Sequence, residues 1–182
     1  QVVLPELVGD LVHAGRRVVA ADHHGAGERP VDVVDLVRPE HPARVGQAHG
    51  QAPEGFQVHK KLGQLLKKRQ QMAEQGGIDW GMGELIAFGS LLMDGFQIRM
   101  SGQDVQRGTF TQRHSVLHDT RSNAEWVPLT HLSEDQGKFM IYNSLLSEYG
   151  VLGFEYGYSV ERPDSLVVWE AQFGDFVNGA QT

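Results

Sequence analysis

From residue 60 onward, segments with helical periodicity alternate with short apolar runs, and this alternation restricts the fold more than any other feature of the sequence. The run "SLVVW" (165–169) has four successive apolar residues without polar alternation. Such a run is typical of a parallel strand covered on both faces. Strands that alternate with helices predict an α/β domain with a mostly parallel sheet.

Two helices are predicted ahead of the first strand. In the first, over 60–75, one face carries Leu62, Leu65, Leu66, Arg69 and Met72. Gly76 follows and is expected to end this helix. Asp79 is a suitable N-cap for a second helix over "WGMGELIAFGSLLM", which Gly95 is expected to end.

Four later segments have strand-like composition: "FQIRM" (96–100), "WVPLTHL" (126–132), "KFMIYN" (138–143) and "SLVVWEAQF" (165–173). Ligands of open α/β sheets bind beyond the carboxyl ends of the strands. Three segments are therefore predicted to converge at one edge: "SGQDVQRGTF" (101–110), the start of the helix in "NSLLSEYGVLGFEYGYS" (143–159), and "EAQFGDF" (170–176).

Glu148 lies beside the predicted apolar face of the helix that starts near Asn143. That face consists of Leu145, Leu146, Tyr149, Leu152 and Tyr156, at helical spacing. An acid in this position is shielded from water, which is typical of functional carboxylates. The alternative is a partly buried glutamate satisfied by a neighbouring backbone group or arginine, and Glu155, further from the face, is assigned to that alternative.

Composition excludes several classes of function. The net charge of −7 argues against nucleic-acid binding, which needs a basic surface. The absence of Cys excludes disulfides and thiolate metal sites. No apolar run reaches the ~20 residues of a membrane span, and no signal peptide opens the sequence, so a cytoplasmic protein without a membrane partner is expected. His118 and His131 lie outside metal-ligand spacing, and no metal site is predicted.

Residues 1–52 are compositionally atypical. Up to Pro53 the chain uses ten residue types, each of which can be encoded by a codon that begins with C or G. This usage is typical of a shifted reading frame over GC-rich DNA, and the alternative is a genuine Val- and His-rich segment. Residues 53–77 are predicted to be a linker with an amphipathic helix. The sequence ends just after a predicted strand and the first turn of a helix, which suggests a fragment of a larger protein.

Four long strings carry a family resemblance: "IDWGMGELIAFGSLL", "SGQDVQRGTFTQRHSVLHD", "NSLLSEYGVLGFEYGYS" and "WEAQFGDFVNGAQ". They closely resemble the E1 component of the 2-oxoglutarate dehydrogenase complex, particularly its actinobacterial form, over residues 53–182. The resemblance implies a thiamine diphosphate enzyme of the transketolase-like superfamily. Residues 78–182 would be the N-terminal part of its pyrimidine-binding domain, truncated at the C-terminus.

The resemblance also implies roles for two residues. In this superfamily a glutamate hydrogen-bonds N1′ of the cofactor's aminopyrimidine and favours the imino tautomer, whose N4′ then takes the proton from the thiazolium. The string "SEYG" assigns this role to Glu148. Phe173, in "EAQFGDF", matches the position at which an aromatic ring packs on the aminopyrimidine; the alternative is an ordinary core Phe.

The loop after the first strand is where the family places contacts to the substrate. Gln103, Arg107, Arg113 and His114 are therefore candidate partners for the substrate's carboxylates. An arginine suits a dicarboxylate because its fork meets each carboxylate with two hydrogen bonds. The alternative is that these side chains hold the long loop together.

The resemblance further implies the activity and the partners of the full-length protein. That protein would decarboxylate 2-oxoglutarate and pass the succinyl group to the lipoyl domain of an E2 dihydrolipoyl succinyltransferase, and it would be a homodimer. Mg²⁺ would be held by a "GDG" motif in another domain; that string does not occur here, so the fragment alone is expected to be inactive. The alternatives are the E1 of another 2-oxoacid dehydrogenase and a non-enzymatic domain that keeps the fold.

Overall fold

Helices and strands alternate along the chain in this computed structural model, which describes residues 38–177 and residue 179. The elements, in order, are α1 (Glu40–Ala48), α2 (Lys60–Gln75), α3 (Trp80–Met93), β1 (Gln97–Gly102), β2 (Leu117–His118), β3 (Glu125–Trp126), a 3₁₀ turn (Pro128–Thr130), β4 (Phe139–Asn143), α4 (Glu148–Glu161), β5 (Ser165–Glu170) and α5 (Phe173–Val177).

The main sheet of the described residues has three strands in the order β4-β1-β5, and both pairings are parallel. In this register Ile98 lies opposite Phe139 on one side and Leu166 on the other. Strands β2 and β3 form a separate antiparallel pair. The predicted α/β class with a parallel sheet is confirmed.

Strand β1 divides the domain into two layers because successive side chains of a strand point to opposite faces. Ile98 and Met100 are buried in the core on the α3 side. Arg99 and Ser101 point the other way, where both contact Glu155 of α4. The apolar core therefore lies between the sheet and the helices α1, α2 and α3, and α4 covers the opposite face.

The first two predicted helices have the expected ends. Helix α2 ends at Gly76, whose φ of 82° is in the region that favours glycine. The carboxylate of Asp79 accepts a hydrogen bond from the amide of Met82 at 3.0 Å and caps α3. Both predicted caps are confirmed.

Helix α4 differs from its prediction in start and in orientation. It begins at Glu148, because β4 continues to Asn143 and a loop follows in which the Ser144 amide bonds the carbonyl of Gly102 at 2.7 Å. The predicted buried face is wrong: Leu145 is fully exposed, and Val151 and Glu155 are the buried residues of α4. The charge of Arg99 on the facing strand draws an acid to this side of the helix.

Two predicted strands also differ from the structure. The segment 126–132 contains only the end of β3 and the 3₁₀ turn, since Pro128 lacks the amide that a strand ladder needs. Strand β5 lies at the edge of the described sheet, where Leu166 is 36% exposed. It is covered less completely than its apolar composition predicted.

Helix α1 precedes the predicted boundary at residue 52, yet it belongs to the core. Val45 is fully buried and lies in the same apolar cluster as residues of α3 and β1. Residues 38–52 are therefore packed with the domain. Residues 1–37 lie outside the described residues, and the origin of residues 1–52 stays a prediction. Within the described ranges, no helix has both the length and the apolar character to cross a bilayer.

Candidate functional site

The three predicted segments converge at the carboxyl edge of the sheet. The amide of Gln106, in the loop after β1, donates to the side chain of Asn143 at 3.1 Å. The amide of Glu148 donates to Asp175 at 2.8 Å and connects the segment after β4 to the segment after β5. Gln172 donates to Thr109 and joins the segment after β5 to the loop after β1. Each pair of segments is thus in direct contact.

Glu148 occupies an unusual backbone conformation at the first position of α4. Its φ is +57°, in the left-handed region that residues with a side chain rarely adopt. Strain of this kind is concentrated at functional sites. Its side chain is half-buried, and a Cβ added at Gly174 would lie 3.6 Å from Glu148 Oε1. The carboxylate therefore faces the start of α5.

Phe173 is the first residue of α5 and is 83% exposed. The alternative of an ordinary core phenylalanine does not describe this position. Exposed aromatic side chains that lie together with other apolar groups mark binding surfaces. Gly174, the residue that follows Phe173, is the one that the Glu148 carboxylate faces.

Asp175 connects these two candidate residues and was not predicted to have a role. It is fully buried and accepts hydrogen bonds from the amides of Glu148 and Gln172, each at 2.8 Å, and from Trp169 Nε1 at 3.3 Å. The sequence gives little indication that Asp175 is buried, because an acid in the first turn of a helix is most often a solvent-exposed capping residue.

Arg113 is buried and engaged by protein groups. Its guanidinium forms two hydrogen bonds with Glu84 at 2.6 and 2.8 Å, one with Glu170 at 2.6 Å and one with the carbonyl of Val105 at 2.7 Å. Burial acts to lower the pKa of Arg113, but hydrogen bonds and charges from Glu84 and Glu170 raise it overall. This arrangement corresponds to the alternative in which Arg113 holds the loop together.

The other loop candidates lie nearer to solvent. Gln103 is exposed directly after β1, and Arg107 is paired with Asp104. His114 is half-buried with φ +45°, and its pKa is lowered by partial burial and then by the charges of Arg69 and Arg107. Arg107 and His114 line one open pocket of about 470 Å³, which Gln103 and Arg113 do not line.

Arg69 of α2 hydrogen-bonds the backbone of the loop that follows β1. It is buried, as its place on the helical face predicted, and it donates to the carbonyl oxygens of Gln112 at 2.9 Å and Arg113 at 2.5 Å. Burial lowers its pKa to about 10, while Asp79 and Glu84 oppose the shift. Arg69 therefore stays charged at neutral pH. Among the described residues, no cluster of three or more His, Asp or Glu could hold a metal ion.

Comparison with known families decides the class of the domain. Residues 76–182, more than half of the chain, match the family model described as the pyrimidine-binding domain of transketolase. This chain belongs to that family. The match to the pyrimidine-binding domain begins two residues before the predicted boundary at residue 78.

Several relatives of this pyrimidine-binding domain have names that refer to 2-oxoglutarate. The mitochondrial 2-oxoglutarate dehydrogenase of Saccharomyces cerevisiae is 48% identical over 185 residues, covering 97% of this chain and 18% of the relative. The protein of the same name from Schizosaccharomyces pombe is 51% identical over 161 residues, covering 84% of this chain and 16% of the relative. A "multifunctional 2-oxoglutarate metabolism enzyme" of Mycobacterium sp. is 52% identical over 146 residues, covering 77% of this chain and 12% of the relative.

These alignments confirm the predicted resemblance and set its extent. The chain spans less than a fifth of the length of these relatives. Because 97% of the chain is covered, the alignment with the Saccharomyces protein extends into residues 1–52.

Proposed function

We propose that this pyrimidine-binding domain is part of a longer protein, here called the parent protein, that decarboxylates 2-oxoglutarate with thiamine diphosphate. The observation that carries this proposal is the 48–52% identity to three relatives whose names refer to 2-oxoglutarate. The convergence of Glu148 and Phe173 at one edge of the sheet supports it.

The two residues fit the aminopyrimidine ring of the cofactor. The carboxylate of Glu148 can share a proton with ring nitrogen N1′, and the exposed ring of Phe173 offers a flat apolar surface on which a heterocycle can stack. When bound, thiamine diphosphate supplies the group that stabilises the carbanion formed by decarboxylation. The protein's part is to hold the proton at Glu148, to orient the ring and to exclude water.

The pocket lined by Arg107 and His114 is the candidate region for the carboxylates of the substrate. Arg107 is exposed, and within the part of the chain that the structure describes its one ion-pair partner is Asp104. Its guanidinium therefore has donors available for a second carboxylate. Gln103, at the end of β1, could add a neutral hydrogen bond. For Arg113 we propose the supporting role that its contacts favour. Mg²⁺, which would bind the diphosphate, is assigned to another part of the parent protein.

The exposed apolar side chains around α4 support a homodimer of the parent protein. They are Leu145, Leu146, Tyr149, Phe154, Tyr156 and Val160, with Phe173, Phe176 and Val177 after β5. Such a set is larger than the scattered apolar residues of an ordinary monomer surface. Light scattering of the parent protein should give twice the mass of one chain; a mass of one chain contradicts the dimer.

Two further proposals concern the partner and the location of the parent protein. The succinyl group would pass to the lipoyl domain of an E2 dihydrolipoyl succinyltransferase. By analogy with the bacterial Mycobacterium relatives, we propose a cytoplasmic location for the parent protein. Analogy with the two yeast proteins, whose names include "mitochondrial", would instead place it in that organelle.

Substitution of Glu148 tests the proposed function. In the parent protein, Glu148→Gln should lower kcat for thiamine-dependent decarboxylation of 2-oxoglutarate by about 10²- to 10⁴-fold, because the amide cannot exchange the proton. Steady-state kinetics with 2-oxoglutarate, pyruvate and a branched-chain 2-oxoacid measure both rate and selectivity. Glu161→Gln, exposed at the other end of α4, is the matched control and should keep the activity.

Three results would count against this function. Near-normal turnover by Glu148→Gln with unchanged melting temperature removes the role of the carboxylate. A preference of the wild-type protein for pyruvate or a branched-chain substrate indicates the E1 of another 2-oxoacid dehydrogenase. Absence of thiamine diphosphate binding indicates a non-enzymatic domain.

A further inference from the structure

We propose that Asp175 is a positioning residue that fixes Glu148 for its contact with the aminopyrimidine, an inference that rests on the proposed function. Asp175 does not face the surface on which the cofactor would lie, because it is fully buried. It would act through the backbone of Glu148.

The carboxylate of Asp175 has a distinct set of partners on each oxygen. Oδ1 accepts from the amide of Glu148 at 2.8 Å. Oδ2 accepts from the amide of Gln172 at 2.8 Å and from Trp169 Nε1 at 3.3 Å. A buried carboxylate is stable only when its oxygens are satisfied in this way. The side chain is therefore held in one orientation, which a single hydrogen bond would not achieve.

The same carboxylate satisfies the starts of two helices. The first amides of a helix have no partner within the helix, and Ser147, the residue before α4, forms no side-chain cap. Asp175 supplies the missing acceptor to Glu148, the first residue of α4. At α5, Asp175 is the third helical residue and bonds back to the amide of Gln172, as the acidic member of a capping box does.

This contact explains how Glu148 keeps its left-handed conformation. A φ of +57° is unfavourable for a residue with a Cβ and persists only where surrounding contacts impose it. The hydrogen bond to a rigid buried carboxylate is such a contact. Because φ and ψ determine the direction of Cβ, they also place the Glu148 carboxylate near Gly174. Loss of Asp175 would allow Glu148 to relax toward ordinary helical angles and move its carboxylate.

Glu155 is the other buried acid of α4 and has a separate task. It bonds Arg99 and Ser101 of β1, two turns after Glu148. That contact fixes α4 against the sheet and does not reach the backbone at the start of the helix. Asp175, by contrast, joins the segment of Glu148 directly to that of Phe173.

The experiment is a double-mutant cycle on cofactor affinity in the full-length parent protein. The dissociation constant of thiamine diphosphate, with Mg²⁺ present, is measured by calorimetry for wild type, Asp175→Asn, Glu148→Gln and the double variant. Asparagine keeps the shape but turns a donor toward one of the amides. Asp175→Asn should weaken binding about 10- to 100-fold, the size of effect found when a group that orients a metal-ligating side chain is removed. In the Glu148→Gln background, Asp175→Asn should raise the dissociation constant by less than about threefold further, because Asp175 acts through Glu148.

Two controls separate positioning from general stability. Leu132→Ala, in the core on the α3 side of the sheet, should lower the melting temperature and leave the dissociation constant within about twofold. Trp169→Phe removes the Nε1 donor to Asp175 together with part of the indole ring, and it should weaken binding about threefold. It takes the place of Asp175→Asn if that variant does not fold.

The possible results are distinguishable. An unchanged dissociation constant in Asp175→Asn, or in Trp169→Phe when it stands in, overturns the positioning role while the proposed function stands. The positioning role is also overturned if the fold-changes in the dissociation constant of Asp175→Asn and Glu148→Gln multiply fully in the double variant. A wild-type parent protein without measurable affinity for thiamine diphosphate overturns the proposed function and this inference with it.

Discussion

Arg113 joins three segments that are far apart in the sequence. It bonds Glu84 on α3, the carbonyl of Val105 in the loop after β1, and Glu170 at the end of β5. Its partners are thus 29, 8 and 57 residues away. Sequence reasoning identified Arg113 as important but could not separate a substrate contact from a structural one, because the choice depends on which carboxylates the fold brings near.

Removal of Arg113 should be costly for stability. Arg113→Met leaves Glu84 and Glu170 mostly buried without their cation, and breaking such a pair costs about 3 kcal/mol of the free energy of unfolding. Urea titration of the chain measures this change. Arg162→Met, which breaks an exposed pair with Asp164, is the control and should have little effect. Equal effects of the two variants would show that Arg113 is not a structural centre of the loop.

At the scale of elements, α1 is tied to the domain through His49, the residue that follows its last turn. His49 is buried, and its Nδ1 lies 2.7 Å from the carbonyl oxygen of Val45. Burial lowers the pKa of His49 to about 4, the charge of Arg69 acts in the same direction, and the hydrogen bond to Val45 opposes both. His49 is therefore neutral in the folded domain at neutral pH.

This titration makes stability depend on pH in a defined window. The pKa of His49 in the folded chain lies below the ordinary histidine value of 6.5, so between these two values the unfolded chain binds the proton that the folded chain excludes. The contribution of His49 to the free energy of unfolding should fall by about 3 kcal/mol as the pH drops from about 6.5 to about 4. Urea midpoints across this range measure it.

The matched variants for this prediction are His49→Phe and His118→Phe. The first should reduce the pH dependence in this window, and the second, at an exposed position, should preserve it. His114, whose pKa is also lowered, should account for any smaller slope that remains in His49→Phe. A slope as steep in His49→Phe as in the wild-type chain would contradict the buried position of His49.

The elements themselves could be predicted to different degrees. Helices α2 and α3 were predicted with their ends because Gly76 and Asp79 act locally. The orientation of α4 was not, because it depends on Arg99, a charge on a strand more than 50 residues away. The site shows the same division: family resemblance selected Glu148 and Phe173, whereas Asp175 is defined by a contact across 27 residues.

At the scale of the whole molecule, the apolar core of the described residues lies apart from a group of exposed apolar side chains. The core lies on the α3 side of the sheet. The exposed side chains cluster along α4 and after β5, beside Glu148 and Phe173. The candidate cofactor residues therefore lie next to the surface where a second copy would bind, so dimer formation would also shield them from water. Shielding strengthens the hydrogen bond that the Glu148 carboxylate would form with a ring nitrogen.

A structure of the parent protein with bound thiamine diphosphate tests the central claim most directly. The account predicts that a carboxylate oxygen of Glu148 lies about 2.6–3.0 Å from N1′ of the aminopyrimidine and that Phe173 stacks on the same ring. A Glu148 side chain that points into bulk solvent, away from the pyrimidine, would contradict it.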